Sequence, residues 1–222
     1  MIDSKFEYEG KEIKISTLFK EDMLYNKYFK YGKIYEEGLL NKIKEYNKKG
    51  IYVDLGANVG NHSIFFSLFC PVTKLISIEA EPTICKILEH NLGLNISNYD
   101  YEIINKAVSD FNGFVKMNSL SEENVGSTYI YSKNGGDVEC TTLDDLLGHL
   151  TDVVVLKIDI EGEEHNAIKK SDKFFKNNSP IVIAELKNND QFNEFKDIIS
   201  KYGYTTDGKN YAISPTYIWI KK

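Results

Sequence analysis

Arginine is missing from this sequence: all 27 basic residues among its 222 are lysines. The guanidinium fork of arginine is the group that most often binds phosphate through two parallel hydrogen bonds. The chain also has 33 acidic residues and a formal charge of −6. A protein of this composition has few groups with which to neutralise a phosphate backbone, so nucleic acid is a disfavoured partner.

Cysteine is scarce, and long apolar runs are lacking. Cys70, Cys85 and Cys140 are odd in number and far apart, which indicates neither a disulfide framework nor a zinc site. The longest largely apolar stretch, Ile64 to Cys70, is too short to span a bilayer, and the first residues lack the pattern of a secretion signal. We therefore expect no membrane span and a cytoplasmic location.

The length suits one α/β domain with a short N-terminal extension. In the extension, residues 1–48, we predict a hairpin from Phe6 to Ser16 around a Glu9-Gly10 turn, then a helix from Ile34 to Tyr46. In residues 49–222, short β-branched runs alternate with longer amphipathic stretches. This alternation is typical of βαβ units and indicates a parallel sheet.

The sequence of elements predicts a Rossmann-like α/β fold with a mostly parallel seven-stranded sheet flanked by helices. The predicted strands are Ile51–Leu55, Lys74–Glu79, Tyr101–Val108, Val153–Ile158, Ile181–Glu185 and a closing pair that ends at Ile220. The predicted helices are 60–70, 82–95, 142–150, 163–171 and 191–202, and an irregular hairpin is predicted within 110–138. The run Val153–Ile158 is almost continuously apolar, which predicts a central strand buried on both faces.

The first motif is a strand that ends in an acid and leads into two glycines four residues apart, Gly56 and Gly60. Glycine lets a backbone turn sharply and admit a ligand against it. Asp54 can hold a ligand's ammonium group, and the amides of residues 57–60 can receive a carboxylate at the helix N-terminus. Both groups occur in the methionine half of S-adenosylmethionine. Alternatively, the glycines only allow close packing of strand and helix.

The second motif is Glu79, an acid at the end of the next strand, where it can bind both ribose hydroxyls of a nucleoside. Its alternative is an ordinary exposed glutamate. Together the two motifs indicate an adenosine ligand. A dinucleotide fold uses G-x-G-x-x-G to approach a pyrophosphate, whereas this chain has G-x-x-x-G, which favours the methyl donor over NAD.

The third motif places Asp159, Glu161 and His165 after the predicted central strand. Asp159 and Glu161 can face the same way, and Glu161 and His165 are four residues apart if the helix begins promptly. These groups can deprotonate an acceptor hydroxyl or bind a hard cation, for which Glu185 is a further candidate. Alternatively, the glutamates only favour a helix N-terminus. Asp159 is our first choice of base; a divalent metal is conceivable but none is predicted.

These motifs resemble those of the FkbM family of methyltransferases, from about Glu36 to Glu185. The two signatures are DLGANVG at 54–60 and KIDIEG at 157–162, followed by Glu164. Further matching positions are IEAEP at 78–82, Asn91, Asn95, KAVSD at 106–110, TLD at 142–144 and Glu185. Two positions depart from the family pattern: Ala80 stands where a proline is usual, and His165 stands where relatives often have an apolar residue.

The resemblance implies a class I methyltransferase fold in residues 49–222, S-adenosyl-L-methionine as cofactor and O-methylation of a sugar, glycan or small-metabolite hydroxyl. The predicted catalytic residues are Asp159, Glu161 and His165. The predicted cofactor-binding residues are Asp54, Gly56, Ala57, Asn58, Val59, Gly60, Asn61, Glu79, Ala80, Ala107, Val108 and Asp159. The acceptor and the oligomeric state stay open.

Two alternative functions remain. One is an RNA 2′-O-methyltransferase that uses Lys106, Asp159 and Lys187 with an acid to handle protons. The other is a non-catalytic scaffold that binds an adenosine ligand. Other segments have two interpretations each. The aromatic segment from Tyr25 to Tyr35 can cover the acceptor site or only pack on the domain, and residues 118–136 can shape the acceptor pocket.

Overall fold

The computed structural model describes residues 1–97, 100–118 and 120–222. The chain begins with the predicted antiparallel hairpin of β1 (Ile2–Tyr8) and β2 (Lys11–Thr17). Glu9 and Gly10 at its turn both have positive φ, as a two-residue hairpin turn of this hand requires. Two helices follow, α1 (Met23–Lys27) and α2 (Glu37–Tyr46).

The remaining elements alternate as the sequence pattern predicts, except that two helices follow the central strand where one was predicted. The strands are β3 (Gly50–Leu55), β4 (Val72–Ile78), β5 (Asp100–Ile104), β6 (Ala107–Val108), β7 (Gly113–Met117), β8 (Ile130–Ser132), β9 (Val138–Thr141), β10 (Val153–Ile158), β11 (Ile181–Glu185), β12 (Tyr204–Thr206) and β13 (Thr216–Lys221). The helices are α3 (Asn61–Phe69), α4 (Pro82–Asn95), α5 (Leu143–Leu147), α6 (Glu164–Lys169), α7 (Asp172–Asn177) and α8 (Asn189–Ile199). Short 3₁₀ turns lie at 29–31, 125–127 and 200–202.

Seven strands form the main sheet in the order β12-β13-β11-β10-β3-β4-β5. All pairings are parallel except the two that β13 makes, with β11 and with β12. The mostly parallel α/β fold is therefore confirmed. The apolar strand β10 lies in the middle of the sheet, and Val155, Leu156 and Ile158 on it are fully buried.

The predicted third strand, Tyr101–Val108, is present as β5 but ends at Ile104, because the chain leaves the main sheet between β5 and β6. The Asn105 side chain donates hydrogen bonds to the carbonyls of Glu79 and Ala80, at 2.8 and 2.9 Å. These bonds turn the chain away, and β6 pairs with β9 in a second sheet of order β6-β9-β7-β8. That sheet takes the place of the irregular hairpin predicted within 110–138, of which Ser119 lies outside the described residues.

The hairpin is attached to α4 through two asparagine side chains. The Asn91 amide accepts the N–H of Ser16 and donates to its carbonyl, and Asn95 makes the same pair of bonds with Lys14. The two amides therefore satisfy the free edge of β2 as a neighbouring strand would. Asn91 also donates to the Val59 carbonyl at 2.7 Å, which links the hairpin to the turn after β3.

We expect Asn91→Ala to lower the free energy of unfolding by about 2 kcal/mol, because it leaves three buried backbone groups without a partner. Urea unfolding measures this loss. Asn95→Ala, whose bonds are only partly buried, serves as the matched comparison and should cost about half as much. Equal, negligible losses for both variants would show that the hairpin is held by other contacts.

In the part of the chain that the structure describes, no helix combines the length and apolar character that a transmembrane segment needs.

Candidate active site

A cavity of about 340 Å³ opens at the carboxyl ends of the parallel strands. It lies where β3 and β10 are neighbours, which is where the chain connections change direction across the sheet. Ligands of open α/β sheets bind at such a point. Ten of the predicted cofactor residues line this cavity, as does Glu161: Gly56, Ala57, Asn58, Val59, Asn61, Glu79, Ala80, Ala107, Val108 and Asp159.

The turn after β3 depends on backbone conformations that suit glycine. Gly56, Asn58 and Gly60 have φ of +79°, +49° and +94°. A Cβ atom on Gly56 would lie 1.7 Å from the carbonyl oxygen of Asp159, and one on Gly60 would lie 2.9 Å from a methyl of Leu88. Both positions therefore require glycine because neighbouring atoms pack closely against the backbone, which was the alternative interpretation of these glycines.

Most of the amides predicted to receive a carboxylate are already used. The N–H of Ala57 donates to Ile78 O, that of Asn58 to Glu79 Oε2, and that of Gly60 to Ala57 O. This corrects the prediction that the amides of residues 57–60 form an open cradle. The same bonds hold the turn against the end of β4, where Glu79 begins the next loop.

Asp54 does not project into the cavity as an open ammonium site. Its side chain is fully buried; Oδ2 accepts a 2.6 Å hydrogen bond from Ser63, and Oδ1 lies 3.2 Å from the Lys157 ammonium. Strand register explains the pair, because Asp54 on β3 lies directly beside Lys157 on β10. The ammonium partner predicted for Asp54 is thus supplied by the protein itself.

Lys157 connects the two sequence signatures. Its ammonium donates to Gly56 O at 2.7 Å and lies 3.5 Å from Asp159 Oδ2. Burial lowers the pKa of Lys157, but the carboxylates of Asp54 and Asp159 outweigh that effect and hold it above its usual value. Lys157 was assigned no role from the sequence, although a lone charge within an apolar strand indicates a buried ion pair.

We expect Lys157→Met to lower the free energy of unfolding by about 3 kcal/mol, because Asp54 would keep a buried charge without its partner. Chemical denaturation measures the loss. The double variant with Asp54→Asn removes both charges and should recover at least half of it. If the double variant is no more stable than the single one, the ion pair is not the source of the loss.

Glu79 combines burial with backbone hydrogen bonds. Its carboxylate accepts the N–H groups of Asn58 and Glu81 at 2.8 and 2.9 Å. Burial raises the pKa of Glu79 to about 7, although these two hydrogen bonds act in the opposite direction. Beside it, the buried Asn58 Oδ1 accepts no hydrogen bond from any described residue. An unpartnered buried acceptor in a cavity wall is the kind of atom that a ligand donor satisfies.

The loop after β10 presents Asp159 and Glu161 to the cavity. Glu161 and Gly162 have φ of +56° and +108°, and the buried Glu164 carboxylate accepts the N–H groups of Ile160 and Gly162. Glu164 therefore fixes the loop shape. Because α6 begins only at Glu164, Glu161 is not on the helix, and its predicted four-residue relation to His165 does not form.

His165 lies outside the cavity. Its Nε2 is 3.4 Å from Glu194 on α8, so the side chain packs between two helices on the outer face of the sheet. Burial lowers its pKa, which makes the ring neutral at physiological pH. This position corrects the prediction of His165 as a catalytic residue.

Several residues that line the cavity were given no role, or only a minor one, in the sequence-based predictions. Glu185 at the end of β11 lines the cavity with Lys187, whose ammonium is paired with the Glu161 carboxylate. Glu185 was considered only as a metal ligand, yet burial, then Asp159 and Glu161, raises its pKa to about 8. His62 also lines the cavity, with Nε2 3.1 Å from the buried Glu36.

The roof of the cavity comes from distant parts of the chain. Tyr35 from the aromatic segment lines it, as do Asn124, Gly126 and Ser127 from the stretch predicted to shape the acceptor pocket. Buried Asp22 connects the two segments, because its carboxylate accepts N–H groups from both Leu24 and Val125. Phe29, by contrast, packs in the core. Within the described ranges, no three histidine, cysteine, aspartate or glutamate side chains are placed to bind one metal ion.

A family model described as the methyltransferase FkbM domain matches residues 54–206, which is more than half of the chain. The protein belongs to the FkbM methyltransferase family. The resemblance seen in the two signatures is thereby confirmed. No curated protein matches the chain.

Solved structures support the same fold. The precorrin-6y C5,15-methyltransferase of Geobacter metallireducens is similar with a TM-score of 0.52 and 14% identity, over 84% of this chain and 87% of that one. The FkbM methyltransferase of Methylobacillus flagellatus is similar with a TM-score of 0.51 and 13% identity, over 78% of this chain. The match covers 44% of the Methylobacillus protein, so this protein corresponds to less than half of that relative's length.

Proposed function

We propose that this protein transfers the methyl group of S-adenosylmethionine to a hydroxyl oxygen of a sugar, a glycan or another small metabolite. The observation that supports this most strongly is the meeting of the two FkbM signatures, about 100 residues apart in sequence, at one cavity. Lys157 contacts Gly56 O of the first signature and Asp159 of the second. Donor-binding and reacting groups therefore share one wall.

The residues at one end of the cavity suit the adenosine half of the donor. The Glu79 carboxylate has acceptor capacity beyond its two backbone bonds and lies where ribose hydroxyls are bound in such folds. Ala80, Ala107 and Val108 form an apolar wall for the base. A cavity of about 340 Å³ falls within the range of small-molecule sites. The donor supplies a methyl carbon that its positive sulfur already activates.

Asp159 is the residue to which we assign proton transfer. Its carboxylate faces the cavity and is oriented by the Lys157 ammonium, 3.5 Å away. In the transfer step the acceptor oxygen forms a bond to the methyl carbon while the carbon–sulfur bond breaks, and its electron pair stays on sulfur. Asp159 takes the proton that the hydroxyl loses. Because the donor is activated, holding the acceptor in line contributes much of the rate.

A second candidate is RNA 2′-O-methylation. It is favoured by one observation: Lys106, Asp159 and Lys187, the proposed proton-handling set, all line the cavity. Both lysines are already paired with glutamates, however, Lys106 with Glu139 and Lys187 with Glu161. RNA that fails to bind at any salt concentration would eliminate this candidate.

The test has two steps. Calorimetry with adenosylhomocysteine should show binding at one site per chain, and absence of heat would overturn the donor assignment. Methyl-labelled donor is then incubated with sugars, glycolipids and small hydroxylated metabolites, and mass spectrometry identifies any product heavier by one CH₂. Donor binding without any product over this panel would favour the scaffold alternative.

A further inference from the structure

Away from Ala80, Ala107 and Val108, the cavity is lined by more carboxylates than ammonium groups. The charged residues that line the cavity on or after β10 and β11 are Lys157, Asp159, Glu161, Glu163, Glu185 and Lys187, and Glu163 is paired with Lys133 outside this set. Lys187 is paired with Glu161. Lys157 makes its shorter ion pair with Asp54 behind the wall. Asp159 therefore shares Lys157 with Asp54, and Glu185 makes no ion pair with any described residue.

The surplus is concentrated at the ends of two adjacent strands. Ile158 on β10 pairs with Ala184 on β11, so Asp159 and Glu185 follow at neighbouring positions. The donor's sulfonium can balance one of these two carboxylates, because the ammonium and carboxylate of its methionine half cancel. The second carboxylate stays protonated unless another cation neutralises it, and the acceptor can supply that cation.

Two further groups beside this surplus favour a cation. The Tyr35 side chain lines the same cavity, and the face of an aromatic ring attracts ammonium groups. Glu36 is paired with His62, which also lines the cavity; the Glu36 side chain is only 4% exposed, and no described residue donates a hydrogen bond to its Oε1. Glu36 adds negative potential at this end of the cavity, since its charge is one of those that raise the pKa of Glu185.

We propose that the acceptor is an amino sugar or a related amino alcohol, whose ammonium group binds against Glu185 and Tyr35 while a neighbouring hydroxyl faces Asp159. This inference rests on the proposed methyltransferase function. It adds a charge requirement that disfavours phosphorylated and carboxylated acceptors, because Lys157 and Lys187 are already paired with carboxylates and Asp159 would repel an anion.

Binding of such a cation can be detected because it should release the proton that the Glu185 carboxyl group carries at pH 7. Burial and the negative charges of Asp159, Glu161 and Glu36 raise its pKa to about 8, and Lys187 opposes them. Tyr35, whose pKa burial raises, stays neutral beside it. Glu185 is therefore mostly protonated at pH 7. A bound ammonium group lowers its pKa, so about one proton leaves on binding.

Calorimetry of the protein with adenosylhomocysteine bound, at pH 7 in two buffers of different ionisation enthalpy, tests this. The probes are 2-amino sugars and 1,2-amino alcohols, each paired with its N-acetyl form, which has no charge. The amines should bind at least about tenfold more tightly than their N-acetyl partners and release about one proton. Methyl transfer should show the same preference in kcat/KM.

Glu185→Gln should abolish the proton release and weaken amine binding by about 10- to 100-fold, with a much smaller effect on the N-acetyl forms. Glu163→Gln is the matched control, since Glu163 also lines the cavity but is paired with Lys133 at 3.0 Å. It should leave the preference for amines unchanged.

The outcomes separate this proposal from the donor assignment. Failure of adenosylhomocysteine to bind overturns the proposed function itself. If adenosylhomocysteine binds but the N-acetyl forms bind as well as the amines, or no amine binds, only the acceptor proposal is wrong. Amine binding without proton release, or with equal proton release in Glu185→Gln, likewise removes Glu185 from the acceptor site.

Discussion

Replacing Gly56 by alanine is expected to cost more than about 4 kcal/mol of stability and to remove most soluble protein. The added Cβ would lie 1.7 Å from the Asp159 carbonyl oxygen and 2.7 Å from its carbon, and neither backbone atom can rotate away. The φ of +79° adds strain. Expression yield and urea unfolding measure the effect.

Gly93→Ala is the matched control, because Gly93 lies within α4 and a Cβ there would meet nothing within 4 Å. Alanine is the better helix former, so this variant should gain up to about 1 kcal/mol. A Gly56→Ala protein that folds with wild-type stability would show that the two signature loops do not pack as closely as described.

Asp159→Asn is expected to lower kcat by about 10²- to 10⁴-fold, because asparagine cannot take up the proton that the acceptor hydroxyl loses. The volume is unchanged, and the amide oxygen can still face the Lys157 ammonium 3.5 Å away. Binding of adenosylhomocysteine should therefore persist. The measurement is methyl transfer to any acceptor that the panel identifies, together with calorimetry.

His165→Gln provides the comparison, because the structure places this histidine against Glu194 and outside the cavity. Its turnover should stay within about twofold of the wild type. Unchanged turnover in Asp159→Asn would remove Asp159 from the mechanism. A large loss in His165→Gln would instead restore the role that the sequence first gave to that residue.

The predictions that held depend on local signals. The alternation of apolar runs predicts the strands, and the continuous run Val153–Ile158 predicts the centre of the sheet, which β10 occupies. The Glu9-Gly10 turn predicts the hairpin. Each signal lies within about ten residues, where side-chain period and turn chemistry act directly. Where a residue bonds to a distant part of the chain, as Asn105 does to the carbonyls of Glu79 and Ala80, the predicted strand boundary was wrong.

The site residues also divide into those that local sequence signals predict and those that depend on contacts with distant parts of the chain. Acids and glycines at strand ends could be placed at one edge of the sheet, because parallel strands end together. The residues that form ion pairs with these acids could not be predicted from the sequence. Asp54 is paired with Lys157 because of the register between β3 and β10, more than 100 residues apart. The raised pKa of Glu185 comes from burial and from charges such as those of Asp159 and Glu161, which only the fold brings near it.

The sequence alone was sufficient for the α/β fold, for the FkbM family and for ten of the twelve predicted cofactor residues, which line the cavity, since these follow from local period and motif. The tertiary structure decided that Asp54 is occupied by Lys157, that His165 lies outside the cavity and that Glu185 is inside it. Ion pairing and burial depend on which distant strands become neighbours, and only the folded chain sets those distances.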